Sequence, residues 1–149
     1  MLLSRSTLPV LSTIIRRTMS SSSTTRQEIR TPLAPEPIGP YSQAIRSGNT
    51  VYLSGQIAKN VQTGQLVLEP FDRQADQVFS NLRTVVEAAG GRLDQVVKLT
   101  IFILDFGNFQ AVNQSMEKYF RPPYPARSTI GVASLPAGVG IEVEAILQL

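Results

Sequence analysis

The sequence predicts an α+β fold, a mixed sheet with two helices packed on one of its faces. Three patterns carry that prediction. Two stretches, 71–89 and 106–120, repeat apolar residues at helical spacing, and short β-prone runs lie before, between and after them. The last of those runs, 140–147, places Glu142 and Glu144 in strict alternation with Ile141, Val143 and Ala145. The resulting order is β-β-(β)-α-β-α-β-β, and 149 residues suit one domain.

Residues 30–40 (RTPLAPEPIGP) carry Pro32, Pro35, Pro37 and Pro40, which exclude helix and favour an extended lead into the domain. The runs YSQAI (41–45) and TVYLSGQI (50–57) flank Ser47, Gly48 and Asn49, a turn signal, and predict a hairpin. A third short strand is expected around Gln65–Leu68 after Thr63 and Gly64, with Pro70 at the first position of the helix that follows. In that helix Phe71, Ala75, Val78, Phe79, Leu82, Val85, Val86 and Ala89 fall on one face, and Gly90 and Gly91 end it.

Val96–Leu104, interrupted only by Lys98 and Thr100, reads as a strand covered on both sides at the sheet centre. A second helix over Phe106–Phe120 turns Phe109, Val112, Met116 and Phe120 inward and stops at Pro122 and Pro123. Arg127–Leu135 and Gly140–Leu147 are the final strands, joined through Pro136, Ala137 and Gly138. Two helices cover one sheet face, and Val51, Leu53, Ile57, Ile130 and Val132 are too apolar to leave the other in water, so self-association is expected.

Charge is unevenly placed. The net +3 arises from residues 1–27, which hold Arg5, Arg16, Arg17 and Arg26 and no acid; residues 28–149 carry ten Lys/Arg against eleven Asp/Glu. A body near −1 lacks the basic surplus that phosphate contacts require, which argues against a nucleic-acid partner. The leader itself, rich in Ser, Thr and Arg with interleaved Leu and Ile, matches a mitochondrial transit peptide over 1–27, removed between Arg17 and Gln27, ahead of a domain over 28–149. Its apolar residues are too interrupted for a secretory signal or a membrane span.

With no cysteine and no histidine, disulfides, thiolate metal sites and the commonest general base are absent, so any catalysis rests on carboxylates, arginine, hydroxyls and backbone groups. Arg127 follows a proline-imposed turn at the head of a strand; it is either an ordinary strand-end arginine or a planar fork for a carboxylate. Glu142 and Glu144 are either a solvated strand face or the source of a carboxylate that holds a water. Asn113 puts an amide on the apolar helix face, for a backbone partner or a ligand. Gly55, beside Ser54 within a strand pattern, marks a bulge or a close approach, and Tyr41 at a strand start has core packing as its plain explanation.

Six blocks, IGPYSQA (38–44), LSGQI (53–57), QAVNQSM (110–116), PARST (125–129), VASLP (132–136) and IEVEA (141–145), closely resemble the reactive intermediate deaminase family, RidA branch. The resemblance implies a chorismate-mutase-like two-layer fold and a homotrimer with clefts between subunits. It also implies hydrolysis of 2-aminoacrylate, 2-aminocrotonate and their imines to 2-oxo acids and ammonia, with no cofactor and no metal. By the same resemblance Arg127 is the carboxylate clamp and Glu142 positions the attacking water, while Tyr41, Ser54, Gly55 and Asn113 line the cleft. One departure stands out: many members carry cysteine two residues after the arginine, where this chain has Thr129 in the cleft lining. That weakens any thiol-based switch. Competing readings are a ribonuclease or translation inhibitor, which the charge and the missing histidine disfavour, and a non-catalytic ligand-binding or chaperone-like mitochondrial protein.

Overall fold

The sheet is assembled from strands distant in sequence, and this places the two ends of the chain's chemistry on opposite faces. The computed structural model describes residues 25–149, so the expected leader at 1–27 lies almost wholly outside the described residues. Within them are β1 (Gln27–Ile29), β2 (Ala44–Ser47), β3 (Thr50–Ile57), α1 (Phe71–Ala88), β4 (Val96–Ile103), α2 (Phe109–Tyr119), β5 (Ala126–Gly131) and β6 (Ile141–Gln148). The strand order is β1-β2-β3-β6-β4-β5. Every pairing is antiparallel except β4 with β5, and α2 supplies the long crossover that a parallel pair requires. This is the predicted mixed α+β sheet.

Alternation sorts the strand residues. Val51 and Leu53 of β3, Leu99, Ile101 and Ile103 of β4, and Ile141, Val143, Ala145 and Leu147 of β6 are buried under the helices. The apolar stripe of α1, from Ala75 through Val78, Phe79, Leu82 and Val85 to Val86, closes on them, with Val112 and Met116 from α2 completing the core. The helices are also tied to each other through Asp76, whose carboxylate accepts from Ser115 Oγ at 2.9 Å and Lys118 Nζ at 2.7 Å.

Several expectations need correction. Gln65–Leu68 is no strand: the segment makes an isolated bridge, Lys59 with Leu66, because the Asn60 side chain caps a tight turn by accepting from the amides of Gln62 and Thr63 and the chain then leaves the sheet. β4 is not central. β6, the last strand, inserts between β3 and β4, and β4 is buried on the helix side only, with Val97 48% exposed. Val51 and Leu53 face the helices instead, whereas Ile57 and Ile130 lie on the open side as expected, joined there by Tyr52.

The boundaries shift as well. The first strand of the hairpin begins at Ala44 rather than Tyr41, β5 ends at Gly131, and a single 3-10 turn at Phe106–Asn108 precedes α2, capped by the Asp105 carboxylate accepting from the Gly107 amide at 2.8 Å. Gln27–Ile29 adds an edge strand that too few residues announced.

Candidate active site

Arg127 owes its placement to α2. The Pro122–Pro125 segment brings the chain back alongside β4, and the parallel register sets Arg127 beside Leu99, on the helix-facing side of the edge strand β5. There α2 presents Phe109, Asn113 and Met116, spaced four and three apart and therefore on one helix face. Arg127 Nη1 donates to Asn113 Oδ1 at 2.7 Å and contacts Met116 Sδ at 3.3 Å, while the guanidinium carbon lies 5.2 Å from the centre of the Phe109 ring. Asn113 is held in turn by donating to Gln110 Oε1 at 3.0 Å.

Among the described residues no carboxylate pairs with Arg127, and its Nε and Nη2 donate to no protein group. Arg127 borders a hollow of about 350 Å³ that is also lined by Gln110, Asn113, Met116, Glu117, Tyr124 and Pro125. Thr129, two residues further along the same strand face, has its hydroxyl oxygen enclosed with no hydrogen-bond partner.

The remaining candidates gather elsewhere. Glu142 pairs in register with Phe102 and Ile57, so its carboxylate projects from the open face, opposite to Arg127. The β3–β6 register slips between Leu53 and Gln56, and Gly55 sits in that irregularity. A Cβ on Gly55 would fall 1.9 Å from Glu142 Oε1, so the missing side chain is what makes room for the carboxylate. Burial first, and the neighbouring Glu144 carboxylate second, hold the Glu142 carboxyl above its ordinary value. Ser54 Oγ donates to the Ser42 carbonyl at 2.6 Å, and Tyr41, half exposed, accepts from the Ile38 amide at 3.3 Å. Tyr41 and Gly55 border a second hollow of about 250 Å³ with Gln43, Gln56 and Lys59.

One copy of the chain thus joins Arg127, Asn113 and Thr129 on one side of the sheet and Tyr41, Ser54, Gly55 and Glu142 on the other. Two supports escaped the sequence. Gln43, buried, accepts from the Thr31 amide at 2.7 Å and donates to the carbonyls of Thr31, Ala34 and Pro35, pinning the proline segment that carries Tyr41. Phe109 read only as a core residue; the cue available was its place one helical turn before Asn113.

Comparison with known proteins agrees with this architecture. The family model described as Endoribonuclease L-PSP matches residues 31–148. The chain is 54% identical over 121 residues to the 2-iminobutanoate/2-iminopropanoate deaminase of Dermatophagoides farinae, covering 81% of this chain and 94% of that protein. It is 42% identical over 131 residues to Reactive Intermediate Deaminase A, chloroplastic, of Arabidopsis thaliana, covering 88% and 70%. The crystal structure of RidA from an Antarctic Psychrobacter bacterium is similar with a TM-score of 0.80 at 44% identity, covering 83% of this chain and 99% of that one.

Proposed function

Because the chain belongs to the Endoribonuclease L-PSP family, which includes the RidA deaminases, we propose that it hydrolyses 2-imino acids and their enamine tautomers to 2-oxo acids and ammonia. The observation that carries this reading is the guanidinium of Arg127. Its Nη1 is occupied by Asn113, whereas the Nε–Nη2 edge, which matches the two oxygens of a carboxylate, has no partner among the described residues, and Arg127 lines a hollow. Thr129, whose enclosed hydroxyl has no partner among the described residues, lies on the same strand face but outside the lining of that hollow.

The chemistry asks little of the protein. Once the enamine has taken up a proton on carbon, the protonated imine is a strong electrophile, so orientation and a directed water are enough. Glu142, ionised, accepts a proton from that water as its oxygen bonds to the C=N carbon. Glu142 passes that proton to the amino nitrogen of the carbinolamine, the C–N bond breaks, and the carbonyl forms as the hydroxyl proton goes to the departing ammonia. One water is consumed, and the products are a 2-oxo acid and ammonium.

Since Arg127 and Glu142 face opposite ways in one copy, we assign the complete site to a cleft between neighbouring copies of a homotrimer, with Tyr41, Ser54 and Gly55 on the Glu142 side. No cofactor or metal is needed for these steps. We further read residues 1–27 as a mitochondrial address; the Arabidopsis relative described as chloroplastic is likewise named for an organelle. A fusion of residues 1–27 to a fluorescent protein tests the address, and diffuse cytosolic signal counts against it.

The activity is tested by generating 2-aminoacrylate with a serine dehydratase and following pyruvate release. Wild type should accelerate release, and Arg127→Ala should lose roughly 100-fold or more, the scale of two sheltered charge-assisted hydrogen bonds. Full activity in Arg127→Ala rejects the clamp. An inert wild type that cleaves RNA establishes the ribonuclease reading that the family description suggests.

A further inference from the structure

We propose that Phe109 is a positioning residue for this reaction, acting through the face of its ring to fix the plane of the Arg127 guanidinium. The inference rests on Arg127 being the carboxylate clamp.

An arginine side chain has four rotatable bonds, and a single hydrogen bond leaves the guanidinium free to swing about it. Asn113 Oδ1 provides that one bond at 2.7 Å, with the softer Met116 sulfur at 3.3 Å on the same nitrogen. Both contacts fix Nη1 and leave the orientation of the Nε–Nη2 edge unset. The Phe109 ring supplies the missing constraint: its centre lies 5.2 Å from the guanidinium carbon, within the range where a cation is attracted to an aromatic face.

The ring is itself held. Phe106 stacks on it with centres 6.1 Å apart and planes 10° from parallel. Phe106 in turn lies against the bare Cα of Gly131, where an added Cβ would approach its ring to 3.1 Å. Arg127 and Gly131 are four residues apart on β5, so both ends of this stack are anchored on one rigid strand face. The tier Gly131, Phe106, Phe109, Arg127 therefore fixes the clamp from the side, and Asn113 and Met116 fix it from the end.

A ring that only filled space would be replaceable by leucine. A ring that orients charge would not, and tyrosine would replace it. The experiment compares wild type, Arg127→Ala, Phe109→Leu and Phe109→Tyr by imine hydrolysis at graded rates of imine generation. It also records the Arg127 guanidino resonances by NMR. We expect Phe109→Leu to raise the apparent KM by about 2- to 30-fold, the range a cation–π contact spans, with kcat nearly unchanged. The same variant should lose the ring-current shift on the Arg127 Nε proton, and Phe109→Tyr should restore both.

If Arg127→Ala is impaired while Phe109→Leu matches wild type in KM, the inference is overturned and the clamp stands. Equal impairment of Phe109→Leu and Phe109→Tyr, or a fall in kcat alone, also overturns it. If Arg127→Ala is fully active, the clamp fails and this inference fails with it.

Discussion

A carboxylate that steers water must be ionised, yet both neighbours of Glu142 favour its neutral form: burial chiefly, and the negative charge of Glu144 beside it on the same face. Its pKa therefore stands above the ordinary 4.5, and the acid limb of kcat/KM should lie above that value too. Glu144→Gln removes the like charge, so the limb should move to lower pH with activity at neutral pH retained. An unmoved limb would show that Glu144 does not reach the titrating group. Stability carries the opposite sign from the usual paired carboxylate. Between the unfolded and folded pKa values the folded chain holds a proton that the unfolded chain has released, so stability falls as pH rises through that window. Glu142→Gln should accordingly be more stable than wild type at neutral pH, and the two melting curves should converge in acid. A difference independent of pH would contradict the assigned cause.

At the scale of elements, two junctions decide whether these side chains meet their targets. The first is the irregularity in β3: Gly55→Ala would set a methyl 1.9 Å from Glu142 Oε1, and the carboxylate, being the more mobile partner, must move. Rate should fall about 10- to 100-fold through misplacement of the water, with the melting temperature little changed; a normal rate would remove Glu142 from the chemistry. The second is the α1–α2 contact, where Asp76→Ala strips the buried Ser115 hydroxyl of its acceptor and should cost about 1–3 kcal/mol in denaturant unfolding, against less for Asp76→Asn, which still accepts. The helices were legible in the sequence because their faces repeat locally, as Val78, Phe79, Leu82, Val85 and Val86 do. The place of β4 was not, because β6 enters beside it from the far end of the chain and no local pattern encodes strand order. The site divides in the same way. Gly55 announced a close approach, but its partner Glu142 lies across a strand pair. Phe109 announced an inward face, but the cation it meets is on β5.

For the whole molecule, the open sheet face is the unsolved surface of a single copy. Tyr52, Val97 and Ile130 are 52%, 48% and 44% exposed there or at its margin, and the registers put Glu142 on the same face as Tyr52 and Ile130. Arg127, on the other side near the free edge of β5, cannot turn to meet that carboxylate within one chain. In the proposed homotrimer, a closed ring in which the edge of each copy meets the open face of the next would bring the two together three times, by one repeated head-to-tail contact. A site assembled in this way would be divisible between chains, and the division is measurable. Arg127→Ala and Glu142→Gln, each inactive alone, are co-expressed with different tags and the mixed trimers isolated. A junction is complete when the chain giving arginine is the glutamine variant and the chain giving glutamate is the alanine variant, which holds at one junction of each isolated mixed trimer, or about one third of its junctions. Activity should return to about that fraction of wild type. Arg127→Ala co-expressed with the double variant contains no intact arginine and should stay inactive. Mixed trimers of verified mass without recovered activity would mean that the two groups never serve one substrate, and the shared cleft would have to be given up.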